Sequence, residues 1–228
     1  MTKSKNSKLK EITVELIHHL PYSIFGVVLA FLLLGILNFV VHIAQAEAEM
    51  PHAAEEMFHI FHPMHVLISA VATTAMFWKH DNRNVLKALI VGFLGSVTIC
   101  GISDVIVPYL GGVVLGYKMG FHICLIEEPS LVYPFAVIGV LAGLAVTKSF
   151  DKSTQYSHGT HVFISSVASL LYLISFGVSE WTHAVGSVFI VTLVAVMFPC
   201  CLSDIVFPMV CTHRYCQHSE EEGRHIHH

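Results

Sequence analysis

Two pairs of histidines have the spacing of a transition-metal chelate. His62 and His65 are three residues apart, and so are His158 and His161. Side chains three residues apart share one face of a helix, so each pair can offer two imidazoles to one cation. Pro63 suits the first turn of a helix, which places the first pair at a predicted helix start.

Two aspartates lie inside apolar stretches of the chain. Asp104 and Asp204 each follow a serine, and a proline comes four residues after each of them. An ionisable residue inside a membrane span costs roughly 2.5–3.5 kcal/mol and marks a functional site by default. Because proline has no N–H for the carbonyl four residues earlier, each aspartate is predicted to offer a carboxylate and a free backbone oxygen. The alternative is a structural aspartate that caps a helix end or pairs with a histidine.

A cysteine precedes each aspartate by one helical turn. Imidazole, thiolate and carboxylate together suit Zn²⁺, Fe²⁺, Co²⁺, Ni²⁺ or Mn²⁺ better than Na⁺ or K⁺. Two interpretations of the cysteines stay open, because a buried thiol can be a ligand or can simply pack as a small apolar group. The predicted metal ligands form two sets: His62, His65, Cys100 and Asp104, then His158, His161, Cys200 and Asp204.

These residues recur because the chain contains an internal repeat. The segment 62–72 matches 158–168 at seven of eleven positions, and Cys, Ser, Asp and Pro are identical between 100–108 and 200–208. A weaker pair, 21–27 and 134–140, precedes them in the same order. Each half is predicted to hold three spans, an odd number, so the halves should enter the membrane from opposite sides. This inverted arrangement is typical of secondary transporters, whose sites lie where the repeats meet.

Composition requires a membrane around these elements. Charged residues make up only 12% of the 228 residues and apolar residues 54%, whereas a soluble domain carries about 25% charge. The uncharged stretches approach the ~20 residues that cross a bilayer core. The sequence therefore predicts an all-α integral membrane protein with about six spans and broken third and sixth helices. The spans are predicted at about 21–43, 63–78, 85 to past 108, 132–147, 161–178 and 184–210.

The positive charges alternate between successive connections. Lysines and arginines precede the first span, follow the second, fourth and sixth, and leave only Lys118 in the other connections. The positive-inside rule therefore predicts cytoplasmic termini in a cell inner membrane. The predicted segments are a cytoplasmic N-terminal stretch at 1–20, three-helix repeats at 21–131 and 132–210, and a cytoplasmic tail at 211–228.

Further histidines, cysteines and acids lie in the connections and the tail. The outer connections are predicted to hold Glu47, Glu49, His52, Glu55, Glu56, His59, His122, Cys124, Glu127 and Glu128, and the tail is rich in His, Cys and Glu. Such tracts fit metal capture or sensing. A solvated acidic loop and a disordered tail are the alternative.

Together these patterns predict a proton-coupled transporter of a divalent transition metal, with lipid and the ion as partners, a homodimer as an assembly and no nucleic acid. The sequence predicts no enzyme, although a membrane redox role stays open. One alternative is a haem protein, with His42, His62, His65 and His183 as candidate axial ligands. The other is a metal-binding sensor or scaffold that transports nothing.

Overall fold

The computed structural model describes residues 2–80, 84–146, 154–178 and 180–201. Within these ranges every regular element is helical. Five helical segments are long and apolar enough to cross a membrane, and a sixth apolar helix, Gly159–Ser175, is shorter. The all-α class is therefore confirmed, while the count of six spans stays a prediction.

The described residues form eight α-helices with these bounds: α1 Thr2–Ile43, α2 Met50–His80, α3 Val85–Gly101, α4 Val107–Val114, α5 Cys124–Glu127, α6 Pro129–Val146, α7 Thr154–Ser175 and α8 Val185–Val196. Helices α1, α2 and α7 begin well before the spans predicted for them. Helix α1 runs through Pro21, and α2 runs through Pro63 from a start at Met50. A proline inside a buried apolar helix is tolerated because neighbouring helices satisfy the backbone groups that it frees.

Helices α2 and α7 form the centre of the molecule. Helix α2 packs against α3, α6 and α7, and α1 packs against α7. The run 170–174 of α7 is at most 1% exposed. The peripheral helices instead present large apolar side chains outward, such as Phe39, Ile90 and Ile190. A continuous exposed apolar surface of this kind fits contact with lipid.

Two glycines bring the halves of the chain into close contact. A Cβ added to Gly26 of α1 would lie 2.9 Å from Val162 Cγ1 and 3.3 Å from the Phe163 nitrogen of α7. A Cβ added to Gly139 of α6 would lie 2.5 Å from the Leu67 carbonyl oxygen of α2. In the repeat alignment Gly26 corresponds to Gly139 and Phe163 to Leu67. Two related halves would produce this reciprocal contact, although the inverted repeat itself stays a prediction.

The predicted break in the third span is a widened turn. Helix α3 continues into α4 through a π-helical segment, Ile102–Ile106, in which the Val107 N–H donates to the Ile102 carbonyl. The Ser103 carbonyl instead accepts from the Ser169 hydroxyl of α7 at 3.0 Å. Helix α8 likewise continues into a π-helical segment, Met197–Cys201. Such segments occur often at functional sites, because the extra residue redirects the side chains around it.

Candidate metal centre

The Asp104 carboxylate lies at the centre of a buried polar cluster, within the π-helical segment that joins α3 to α4. It is fully buried, and both of its oxygens have two donors. Oδ2 accepts from Nδ1 of His62 at 2.9 Å and from Nδ1 of His65 at 2.7 Å. Oδ1 accepts from the hydroxyls of Ser103 at 2.8 Å and Ser165 at 3.2 Å. Four donors occupy the lone-pair positions of an ionised carboxylate, which is how a buried charge is retained.

These hydrogen bonds fix the tautomer of His65. Because Nδ1 donates its proton to Asp104, the neutral ring carries a free lone pair on Nε2. That Nε2 lies 2.7 Å from Nε2 of His161, on α7. A carboxylate that holds the far nitrogen of a histidine is the usual second shell of a metal-binding imidazole, and it raises the basicity of the ligand.

Cys200 completes the cluster from the π-helical segment after α8. Its sulfur lies 3.7 Å from Nε2 of His65 and 3.4 Å from the Ser165 hydroxyl. Because the Ser165 hydroxyl also donates to Asp104, it links the thiol to the carboxylate. All three side chains, His65, His161 and Cys200, are buried, and their ligand atoms lie within 4.8 Å of one another. We call these three residues the core cluster.

The geometry of the core cluster fits one divalent ion. Metal–nitrogen bonds of about 2.1 Å allow two nitrogens to be up to ~4.2 Å apart, and a metal–sulfur bond of about 2.3 Å allows up to ~4.4 Å between nitrogen and sulfur. The 3.7 Å between the Cys200 sulfur and Nε2 of His65 is close to the ~3.6 Å expected across a tetrahedral ion, whereas the 2.7 Å between the two nitrogens is a hydrogen-bond distance that would widen to about 3.4 Å around an ion. Three ligands leave a fourth tetrahedral position open, as in sites that exchange what they bind.

The structure forms one cluster where the sequence predicted an outer and an inner site. His161 and Cys200, predicted for the inner site, lie against His65, predicted for the outer one. The separation of these two sites was therefore wrong. The error came from starting the second span at Pro63, which put His65 near one surface. Helix α2 starts at Met50, so His65 is fifteen residues from each end of the helix.

The other predicted ligands have varied positions. His62 contacts Asp104 beside the core cluster, and its ring stacks on Phe58 with centroids 5.3 Å apart. Cys100 is buried but is not one of the three clustered ligands. His158 belongs to α7, but its side chain is not among those described, and Asp204 lies outside the described residues. Their roles stay predictions.

Asp104 combines the two roles that the sequence left open. Its carboxylate pairs with two histidines, as the structural alternative expected, and one of those histidines belongs to a cluster with metal-site geometry. The sequence pointed to Asp104 as a direct ligand. That prediction stays untested, and in the structure the carboxylate accepts a hydrogen bond from Nδ1 of His65.

The histidines of the haem alternative do not converge. His42 pairs with Glu47 at 2.7 Å, and its side chain is 73% exposed. The His183 side chain is 83% exposed, whereas His62 and His65 are buried and share one carboxylate. Two axial ligands must face each other across the macrocycle. This set of four does not provide that arrangement.

Comparison of the chain with models of known protein families, with curated proteins and with solved structures finds no significant match.

Proposed function

We propose that this protein carries a divalent transition-metal ion across a membrane and that the core cluster is the binding site on its path. One observation supports the proposal above all others. Two imidazole nitrogens and a thiol, from both halves of the chain, converge in the buried interior of an otherwise apolar helical bundle. A buried polar cluster in such a place is costly, so it marks an ion pathway by default.

The division of the ligands between the halves favours transport over storage. His65 comes from the first repeat, and His161 and Cys200 come from the second. A rocking motion of one repeat against the other, as in transporters built from inverted repeats, would separate these ligands and release the ion. Conduction requires a site that binds well enough to admit the ion and weakly enough to let it leave. Three ligands with an open fourth position meet that requirement.

Binding would exchange the ion for a proton. A metal ion takes the thiolate form of cysteine, so the Cys200 thiol gives up its proton when the ion binds. Because Nε2 of His65 carries a lone pair, the 2.7 Å contact between the rings needs a proton on Nε2 of His161, and this neutral ring must change to the tautomer with its proton on Nδ1 before Nε2 can bind the ion. Asp104 stays ionised and keeps the His65 proton on Nδ1. One proton therefore leaves for each ion bound, and proton coupling follows from the ligand set.

The donor set ranks the candidate ions. Two imidazoles and one thiolate favour Zn²⁺, with Fe²⁺, Co²⁺ and Ni²⁺ next, and Mn²⁺ is least suited because it prefers oxygen ligands. The proposal keeps an inner-membrane location with both termini cytoplasmic, as the lysine and arginine pattern predicts. It also keeps a homodimer, because six short spans enclose little volume.

Zinc uptake into proteoliposomes that contain a zinc-sensitive dye tests the proposal. The unmodified protein should raise the dye signal, and Cys200→Ser and Asp104→Asn should reduce the rate severalfold or more. His183→Gln is the matched control, since that side chain is 83% exposed and far from the cluster in sequence. Full rates in both cluster variants would disprove the mechanism. Tight zinc binding without any increase in the dye signal would instead favour a metal sensor or scaffold that transports nothing.

A further inference from the structure

A second cluster with the same three donor types lies near the end of the molecule where α2 begins. Nε2 of His59 lies 3.2 Å from Nε2 of His122, which lies 3.4 Å from the Cys124 sulfur. All three ligand atoms lie within 4.8 Å of one another. We call these residues the end cluster. Its separations, like those of the core cluster, are short enough for one ion to bond to every ligand.

The end cluster also repeats the carboxylate support seen in the core. Glu127 Oε2 accepts from Nδ1 of His122 at 2.9 Å, so Nε2 of His122 is left to face the other two ligands. Glu127 Oε1 accepts from the Ile123 N–H at 3.0 Å, which holds the carboxylate in place. Glu127 therefore does for His122 what Asp104 does for His65. This arrangement orients an imidazole toward a metal ion.

Aromatic residues in α7 and directly after it pack against His122 of the end cluster. The His122 ring stacks on Phe176, with centroids 4.9 Å apart and an angle of 11°. The His122 N–H donates to the Tyr172 hydroxyl at 3.2 Å. The His122 side chain is only 12% exposed, and Cys124 is 1% exposed. A preorganised, half-buried ligand set loses little entropy when an ion binds.

The two clusters lie on one face of α2. His59 belongs to the end cluster, His65 belongs to the core cluster, and His62 lies between them at a spacing of three residues. Residues three apart are neighbours on a helix surface, and each step of three advances about 4.5 Å along the axis. A ladder of three imidazoles therefore connects the two clusters.

We propose that His59, His122 and Cys124 form a second transition-metal site, with Glu127 as its positioning residue, which loads the core cluster by way of His62. The site itself is argued from its own geometry, and only the loading role rests on the proposed transport function. The acids in the same stretches of sequence favour cation capture, because they give these stretches a negative charge. They include Glu47, Glu49, Glu55, Glu56, Glu127 and Glu128.

Cobalt(II) binding to the full-length, metal-free protein in detergent tests the site. Cobalt bound to a thiolate gives a near-ultraviolet charge-transfer absorption that reports on the cysteine directly. Cys124→Ser should lose one cobalt equivalent per chain together with part of this absorption, and His59→Gln should lose the same equivalent. The matched control is His52→Gln, an exposed histidine on the same helix, which should keep every equivalent.

A second variant controls for the possibility that Cys124→Ser misfolds. Glu127→Gln keeps the shape of the cluster and should weaken the same equivalent roughly 10–100-fold, the usual effect of losing a second-shell partner. If Cys124→Ser also loses the cobalt ion bound at the core cluster, its fold has been damaged. The result for Glu127→Gln then decides whether the second site exists. Cobalt binding unchanged from that of the unmodified protein in both variants would overturn the site.

Transport separates the loading role from the proposed function. In the dye-containing proteoliposomes, Cys124→Ser should raise the zinc concentration for half-maximal uptake, whereas Cys200→Ser should lower the maximal rate. Equal half-maximal concentrations in Cys124→Ser and the unmodified protein would overturn loading. If the unmodified protein transports no zinc but Cys124→Ser still loses its cobalt equivalent, the transport function fails and the site stands.

Discussion

At the scale of the residue, the two carboxylates closest to the clusters orient imidazoles. Asp104 holds Nδ1 of His65, and Glu127 holds Nδ1 of His122. In each case the opposite nitrogen faces a second imidazole and a thiol. Each carboxylate thus selects the tautomer that leaves the opposite nitrogen available to an ion.

Replacing Asp104 by asparagine should therefore weaken the core cluster while its three ligands remain. An amide can present its NH₂ group to Nδ1 of His65, which favours the tautomer with a proton on Nε2 and blocks the ligand atom. We expect the affinity for cobalt at this cluster to fall about 10–100-fold. Titration with cobalt measures the loss of affinity. The cobalt equivalent that Cys200→Ser loses is the one bound at the core cluster. An affinity equal to that of the unmodified protein would contradict the positioning role.

Cobalt binding to the end cluster should strengthen as pH rises. Burial, with smaller contributions from Asp104, Glu127 and Glu128, raises the pKa of the Cys124 thiol to about 12. The thiol is therefore protonated near neutral pH. A cobalt ion that binds its sulfur together with His59 and His122 must displace that proton. With one proton released, the apparent affinity should rise about tenfold per pH unit between pH 7 and 8. Cobalt titrations at pH 7 and pH 8 measure this change, and Cys124→Ser is the control without the thiol. An apparent affinity that is the same at both pH values in the unmodified protein would contradict the prediction.

Glu127 should stay ionised to lower pH than an ordinary glutamate. Its pKa is lowered first by the Ile123 N–H and then by His122. Because the pKa of Glu127 is lower in the folded state, its contacts stabilise the folded protein at pH values above the unfolded pKa. This stabilisation is lost as the pH falls through the pKa of the folded state. The orientation of His122 therefore persists across the neutral range in which the cobalt titrations are made.

At the scale of the element, α2 is the helix that both clusters share. It carries His59, His62 and His65 on one face, it packs against α6 and α7, and its backbone lies very close to α6 at Gly139 and Gly143. Small residues permit such approach in membrane helices, where packing rather than the hydrophobic effect drives association. The position of His65 against His161 thus depends on glycines in the neighbouring helices.

Gly139→Ala should disturb the core cluster from a distance. A Cβ at Gly139 would lie 2.5 Å from the Leu67 carbonyl oxygen, two residues after His65 along α2, so the helices must move apart. Overpacking of this kind costs about 1–3 kcal/mol. Gly35→Ala is the matched control, since a Cβ there meets nothing within 4 Å.

Thermal unfolding in detergent and cobalt affinity measure the effect of these two substitutions. Gly139→Ala should lower both the unfolding temperature and the affinity of the core cluster. Gly35→Ala should leave the affinity unchanged and keep or raise the unfolding temperature, because alanine stabilises a helix relative to glycine. Equal behaviour of the two variants would show that the close contact at Gly139 does not position the cluster.

At the scale of the whole molecule, the sequence predicted the helical class and the residues of the core cluster better than their arrangement. The rare polar residues of the apolar segments, Asp104, His65 and His161, stand out because membrane interiors exclude them. Their convergence on one point could not be predicted, because it depends on where α2 begins. Pro51 and Pro63 both suit the first turn of a helix, so the sequence offers two starts and does not decide between them.

The end cluster was missed as a site for a different reason. His59, His122 and Cys124 were visible only as members of an acidic, histidine-rich tract, and His59 is 63 residues from His122 along the chain. Spacing within a sequence reveals ligands on one helix, whereas this set joins a helix to a connection. One signal in the sequence could have identified His59 as a ligand: it precedes His62 by three residues, the same spacing as between His62 and His65.

The repeat also predicts a partner for a buried hydroxyl. Ser69 Oγ is buried and has no hydrogen-bond partner within the described part of the chain. Its equivalent in the second half is Ser165, whose hydroxyl donates to Asp104 Oδ1 at 3.2 Å. By the same correspondence, the repeat predicts Asp204 as the acceptor for Ser69, and Asp204 lies outside the described residues.

A double-mutant cycle tests this correspondence. If Ser69 donates to Asp204, then Ser69→Ala should destabilise the protein by about 1–3 kcal/mol, because a buried acceptor loses its donor. The effects of Ser69→Ala and Asp204→Asn should then be non-additive by roughly 0.5–3 kcal/mol. Ser165→Ala with Asp104→Asn provides the matched cycle in the described half. Because an unpartnered buried hydroxyl is itself costly, a neutral or stabilising Ser69→Ala with no coupling to Asp204 would mean that the symmetry of the halves does not extend to their aspartates.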